Sequence, residues 1–289
     1  MKHITLIAPS YPFPKEDVGL TKSYFENLGM QVTAPDDLLG EDLLCANRDE
    51  IRLSHLQKAL SDPTVDIIWM LHGGYGMTRL MPDLLQMKKP EREKLFIGFS
   101  DGTALHVFLN QVWGWPSLHG VSAHQMSKAR VGVQTIESTL QIMREGLYSY
   151  SPPALHPFNN KAKTMDSLSG TVMGGNLALL ECSLGTDWQI DPSGKILFLE
   201  EVYERGYRVD RMLTHLQQAN IFKNIKAILL GDFVKGNEAD GTSLIPAVLK
   251  RFAEQCSVPV FQLPGYGHGE ENLPLPFGKD LDFSVVPTL

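Results

Sequence analysis

The sequence predicts an α/β protein built on a parallel sheet, and three observations predict it. Strand-like apolar runs alternate with helical patterns through the first half of the chain. Those runs are continuously apolar, as strands buried on both faces are, instead of alternating with polar residues. Glycine-rich turns follow several of the runs directly, at the edge where open α/β sheets bind ligands. With 289 residues the chain has room for one large or two medium domains and an ample core.

Taken in order, Ile4 to Ala8 reads as the first buried strand, ended by Pro9 and Ser10. From Lys15 to Leu28 the residues Val18, Leu20, Tyr24, Phe25 and Leu28 recur at helical spacing, and Gly29 suits a C-cap. Met30 to Ala34 reads as a strand and Asp49 to Ser61 as a helix stopped by Asp62-Pro63. Val65 to Leu71 is the next strand. It runs into His72-Gly73-Gly74-Tyr75-Gly76, whose glycines let the backbone approach a ligand and turn N–H groups outward. No Gly-Lys-Ser/Thr and no G-x-G-x-x-G supports a phosphate cradle there. A helix from Arg79 to Met87 leads to a strand beginning at Leu95.

That strand ends in Gly98-Phe99-Ser100-Asp101-Gly102, and a helical pattern starts at Ala104. Strand, sharp turn and helix would lift the serine hydroxyl clear of the sheet edge, with glycines flanking it because the turn is tight. The plainer reading makes Ser100 an N-cap. The helix runs through Gln111, Ser117 to Gly120 is strand-like, and Val133 to Gly146 is an amphipathic helix. Tyr148 to Asp166 carries Pro152, Pro153, Pro157 and Asn159-Asn160 with little periodicity. It reads as a linker at 148–166 between an N-terminal α/β domain, 1–147, and a C-terminal domain, 167–289.

The second half opens with a strand from Ser167 to Met173 and a glycine turn, Gly174-Gly175-Asn176, entering a helix. Lys195 to Glu201 is a buried strand ending in two carboxylates, of which Glu201 is expected to meet solvent or linker. A helix (Val209 to Ala219), a strand (Ile225 to Leu230), a helix (Ser243 to Gln255) and a strand (Val258 to Gln262) follow. The last strand ends in Gly265-Tyr266-Gly267-His268-Gly269, a mobile-looking loop that would expose an imidazole.

Composition narrows the function classes. A net charge of -7 argues against a nucleic-acid footprint and favours small molecules or peptides as partners. The N-terminal run is too short for a signal peptide or membrane span. Cys45, Cys182 and Cys256 are odd in number and widely spaced, which suits reduced thiols in a cytoplasm. No metal, cofactor, membrane or nucleic-acid partner is expected.

Ser100, Glu200 and His268 thus all fall where strands end. A serine nucleophile needs an imidazole to take its proton, and the imidazole needs a carboxylate to fix its tautomer. Among nine histidines, His72, His106 and His119 are the rivals to His268. Glu200 closes an apolar strand, where a buried carboxylate implies a partner.

Ile7-Ala8-Pro9-Ser10, Gly73-Gly74-Tyr75-Gly76, Ile97 to Asp101, Gly174-Gly175-Asn176-Leu177, Leu199-Glu200, Tyr207 to Leu213 and Gly267-His268 stand in one order. In that order the chain resembles the LD-carboxypeptidase family, which includes murein tetrapeptide carboxypeptidases and microcin C self-immunity peptidases. The resemblance implies a flavodoxin-like N-terminal domain, a smaller, mixed β-rich C-terminal domain and a homodimer. It also implies a metal-independent triad of Ser100, Glu200 and His268 that removes a terminal D-amino acid from a muropeptide in peptidoglycan recycling. Backbone N–H groups of Gly74 and Asp101 would form the oxyanion hole, with Tyr75 and Asn176 at the substrate and Arg79 or Arg208 as candidates for its carboxylate. The family commonly has Arg where this chain has His72, and Pro where His119-Gly120 is followed by Val121. Within the family an aminoacyl-nucleotide amide is the alternative substrate.

Two readings compete. An α/β-hydrolase esterase would share the serine turn, but that fold places several elements between its oxyanion motif and its serine, and only 28 positions separate His72 from Ser100. A non-catalytic two-lobed binding protein would not need the three reactive groups together.

Overall fold

The computed structural model describes residues 1–287. The first half builds the expected parallel sheet from β1 (His3–Ile7), β2 (Gln31–Thr33), β3 (Ile67–Met70), β4 (Leu95–Gly98) and β5 (Ser117–His119). Their spatial order is β2-β1-β3-β4-β5, the flavodoxin-like order. Helices α1 (Glu16–Asn27), α2 (Asp49–Ser61), α3 (Met77–Leu85), α4 (Thr103–Phe108), α5 (Ala123–Ser127) and α6 (Val133–Glu145) join and cover the strands. The apolar runs are buried throughout, with Ile4, Leu6, Ile68, Trp69 and Ile97 inaccessible to solvent. The helix after α4 widens into a π-turn at Leu109–Trp113 and stops at Gly114 in the left-handed region.

The second sheet is mixed: β12-β7-β8-β9-β10-β6. β6 (His156–Pro157) comes from the proline-containing segment, followed by β7 (Ser167–Asn176), β8 (Ile196–Val202), β9 (Ala227–Val234) and β10 (Val260–Gln262). β7 to β10 run parallel, linked by α7 (Leu177–Cys182), α8 (Gly206–Gln218) and α9 (Ile245–Gln255). β6 and β12 (Asp280–Ser284) close the edges antiparallel. The segment 148–166 packs closely: Leu155 and Ala162 are buried, and the Asn159 amide donates to the carbonyls of Ala253 and Val258.

Three features depart from the sequence reading. β7 does not turn at Gly174-Gly175 but continues to Asn176, pairing Gly174 with Phe198 and Gly175 with Leu199. A Cβ at Gly174 would lie 2.0 Å from the Phe198 carbonyl oxygen, and one at Gly175 would lie 2.4 Å from Thr103 Oγ1. The glycines therefore serve close packing of β7 on β8 and α4. Second, β11 (Leu275–Phe277), from the C-terminal half, pairs antiparallel with β5 and completes the first sheet. Third, one apolar core runs through both halves, joining Met70 and Phe96 of the first sheet to Leu197 and Leu230 of the second. No helix among the described residues is long and apolar enough to cross a membrane.

Candidate active site

Ser100 stands one residue beyond β4, after Phe99, with φ at 56°, in the left-handed region that a side-chain-bearing residue enters only under strain of about 1–3 kcal/mol. The turn is tight because a Cβ at Gly98 or Gly102 would come within 2.4 and 2.7 Å of Met70 Sδ. The N-cap positions of the helical turn and of α4 are Phe99 and Gly102, not Ser100, and the Ser100 hydroxyl has no hydrogen bond to local structure among the described residues. Its neighbour Asp101 is spoken for: the buried carboxylate accepts hydrogen bonds from the Ser10 hydroxyl at 2.5 Å and the Met77 N–H at 2.7 Å. Burial, only partly offset by those bonds, pushes Asp101 up to about 6.

Glu200 lies on β8 with no solvent access, where the β8–β9 register shifts between Leu199 and Glu201. Such irregularities re-aim side chains at the ends of strands. Its Oε2 is 2.6 Å from His268 Nδ1, which fixes the ring and leaves Nε2 for other partners. Gly267, at φ 124°, makes this approach possible, since a Cβ there would sit 2.9 Å from Glu200 Oε2. The histidine loop is tied to β9 by the Asp232 N–H donating to the Tyr266 carbonyl and the Gly265 N–H to the Asp232 carboxylate. Phe99 packs on the imidazole with ring centroids 4.6 Å apart.

The pair is electrostatically coupled. Burial alone would push Glu200 up, but the charge and hydrogen bond of His268, with His119 beside it, hold it below the usual carboxylate range. Burial alone would push His268 down, but Glu200 outweighs it and raises the imidazole above its ordinary value. Glu201 does not meet solvent as expected. It is buried, and its carboxylate accepts from the Asn176 amide, from the Ala178 N–H at the start of α7 and from the Val202 N–H next to it on β8. Burial and the neighbouring Glu200 charge push Glu201 up to about 7.

Ser100, Gly74 and His268 line one cavity of about 480 Å³. No hydrogen bond joins the Ser100 hydroxyl to His268 among the described residues, a spacing usual for catalytic pairs without substrate. A Cβ at Gly73 would lie 3.0 Å from Ser100 Cβ, so the glycine loop presses directly on the serine. Gly74, at φ 115°, has an N–H that meets no acceptor among the described residues. Two further cations, Arg130 and Lys235, border the cavity, and neither is ion-paired among the described residues.

The other sequence candidates lie apart. Tyr75 is on the surface beside the cavity loop and does not line it. Asn176 is buried: its amide caps α7 at the Leu179 N–H and donates to Glu201. Arg79 is engaged by Asp49, and Arg208 by Tyr207 and Glu204. Of the rival histidines, His106 is buried between Ser117 and the Gly98 carbonyl and pushed down to about 3 by burial. His72 borders the cavity and stacks on Phe13. Sequence reasoning missed Arg52, a buried guanidinium on the inner face of α2 that donates to the Pro9, Gly76 and Asn47 carbonyls. It clamps the loop after β1 to the glycine loop. Its position four residues before Leu56 on the apolar stripe was the available signal.

Comparison with known proteins gives the family of the chain. Residues 4–120 match the LD-carboxypeptidase N-terminal domain model and residues 169–283 the LD-carboxypeptidase C-terminal domain model. A putative carboxypeptidase of Rickettsia conorii is 38% identical over 98% of this chain and 90% of its own length. The murein tetrapeptide carboxypeptidase of Pseudomonas aeruginosa is 28% identical over 96% and 91%. The crystal structure of muramoyltetrapeptide carboxypeptidase from Oxalobacter formigenes superposes with a TM-score of 0.81 at 30% identity, covering 99% of this chain and all of that one. With both halves matched in order, and with the serine turn and the histidine–carboxylate pair each falling inside a matched region, the chain belongs to the LD-carboxypeptidase family.

Proposed function

We propose that this protein is a cytoplasmic, homodimeric serine carboxypeptidase that removes the terminal D-amino acid from murein tetrapeptide in peptidoglycan recycling, using Ser100, Glu200 and His268. The observation that carries the reading is the meeting of a strained, uncapped serine and a carboxylate-held imidazole at one cavity. In the first half-reaction His268 Nε2 takes the Ser100 proton as Oγ attacks the carbonyl of the L–D peptide bond. Negative charge on the carbonyl oxygen is received by the N–H groups of Gly74 and Asp101. His268 then passes its proton to the departing amine, leaving an acyl-enzyme. Water, deprotonated by the same imidazole, hydrolyses the ester and restores Ser100. Glu200 keeps its charge throughout, holding the ring's tautomer and stabilising the imidazolium.

The substrate's terminal carboxylate falls to Arg130 and Lys235, cations at the cavity with no ion pair among the described residues, in preference to Arg79 and Arg208, which are already engaged. The test is mass spectrometry of purified protein with murein tetrapeptide, wild type beside Ser100→Ala. Loss of one alanine by wild type alone is expected. Cleavage by both removes Ser100 as nucleophile, and cleavage by neither moves the substrate away from muropeptides.

A further inference from the structure

Glu200 has two carboxylate oxygens, and the reading above uses only one. Oε2 holds His268, whereas Oε1 is buried with no hydrogen-bond partner among the described residues. A carboxylate oxygen left unpaired away from water is costly. The polar atom that faces it is His119 Nε2, 3.9 Å away, and both atoms belong to side chains with no solvent access. At that distance the contact is electrostatic and falls short of a hydrogen bond.

His119 is equally unusual. It ends β5, on the first sheet, while Glu200 belongs to the second. Its ring is enclosed by Phe198 and Phe277, with centroids 5.2 and 5.3 Å away, and by His106 at 6.0 Å. Neither ring nitrogen has a hydrogen-bond partner among the described residues. If the site needed only an aromatic filler, phenylalanine would serve without burying two unsatisfied nitrogens. The charged or titratable groups around the pair are His268, Glu201 and Asp232 near Glu200, and His106 near His119. His268 meets the other oxygen, Oε2, and among the described residues the ion-pair contact to Oε1 comes from His119.

We propose that His119 is a positioning residue for the reaction: its Nε2–H, held in an aromatic sleeve, fixes the free oxygen of Glu200 and thereby the carboxylate plane that His268 Nδ1–H must meet. A rotation that closes about 1 Å would complete the hydrogen bond as positive charge builds on His268. The orienting carboxylate is then held from both sheets at once. The proposal rests on the Ser100–His268 reading, so its test uses a probe indifferent to the peptide.

The experiment measures the rate at which a fluorophosphonate labels Ser100, together with kcat and KM on murein tetrapeptide, in wild type, His119→Phe and His119→Gln. Phenylalanine keeps the aromatic packing and removes the nitrogens; glutamine can return an N–H near the Nε2 position. Should phenylalanine fail to pack, His119→Met is the nitrogen-free variant. Labelling and kcat are expected to fall about 10- to 100-fold in the nitrogen-free variant with KM unchanged, and to recover substantially in His119→Gln. Wild-type rates in the nitrogen-free variant overturn the proposal, as does equal loss in both variants. If wild type itself is not labelled at Ser100, the nucleophile assignment falls and His119 with it.

Discussion

The two strand ends that form the site reach the same cavity by opposite means. At the end of β4 the geometry is made by backbone: Ser100 is forced to a positive φ, and glycines at 73, 98 and 102 let neighbouring chain close around it. At the end of β8 the geometry is made by buried side chains: Glu200 grips His268, and Asn176 and backbone N–H groups grip Glu201. The first region stores strain where the proposed nucleophile is presented, while the second satisfies hydrogen bonds to hold charges still. Substitutions should therefore fail differently in the two.

The sharpest contrast is Glu200→Gln. It keeps the shape but removes the charge that raises His268, so kcat is expected to fall about 10³- to 10⁴-fold. The base must be neutral to act, so wild-type rate rises with pH through a limb lying above the ordinary imidazole value. In Glu200→Gln that limb moves to lower pH, and a pH–rate profile reads the shift. An unmoved limb would mean that Glu200 does not set the base.

Next in size is Gly73→Ala, which acts on the backbone-built side. Its methyl would press on Ser100 Cβ and Oγ, and a displacement of a few tenths of an ångström to 1 Å should cost about 10²-fold in kcat. The His268 limb should stay in place, since the second region is untouched. Arg130→Ala tests the cavity between the two: KM for a tetrapeptide should rise about 10-fold with little change in kcat, measured by steady-state kinetics. The smallest effect isolates the stored strain. Ser100→Gly removes the proposed nucleophile but suits φ 56°, so the variant, expected to be inactive, should be more stable than wild type by about 1 kcal/mol in denaturant unfolding. Unchanged or lower stability would deny that the serine turn is strained.

What could be read in advance follows the same division. Continuous apolar runs at Ile67–Met70, Leu95–Gly98 and Ile196–Leu199 announce parallel strands because burial on both faces leaves no alternation to obscure them. Ser100, Glu200 and His268 could be picked out as candidates because each is a reactive group that follows such a run, and the structure sets Glu200 against His268 and His268 at the cavity of Ser100. β11 could not be picked out: Leu275-Pro276-Phe277 is three residues long, has proline at its centre, and becomes a strand only because β5 offers an edge. Gly174-Gly175 read as a turn because glycine signals one, whereas here it signals carbonyl and hydroxyl groups pressed against the strand. The parts played by Asp101, Arg52 and His119 depend on contacts across tens of residues, which no local pattern encodes.

β11 has a consequence for how the molecule comes into being. Until the ribosome has passed Phe277, β5 keeps an open hydrogen-bonding edge, and a nascent chain cannot finish its first sheet from its first half alone. Residues 117 to 119 must wait for partners about 158 positions downstream, a long loop closure that slows folding. Fragments cut at the proline-containing segment would carry this exposed edge and tend to associate through it. The unit of folding, and hence of safe truncation or fusion, is the pair of sheets together.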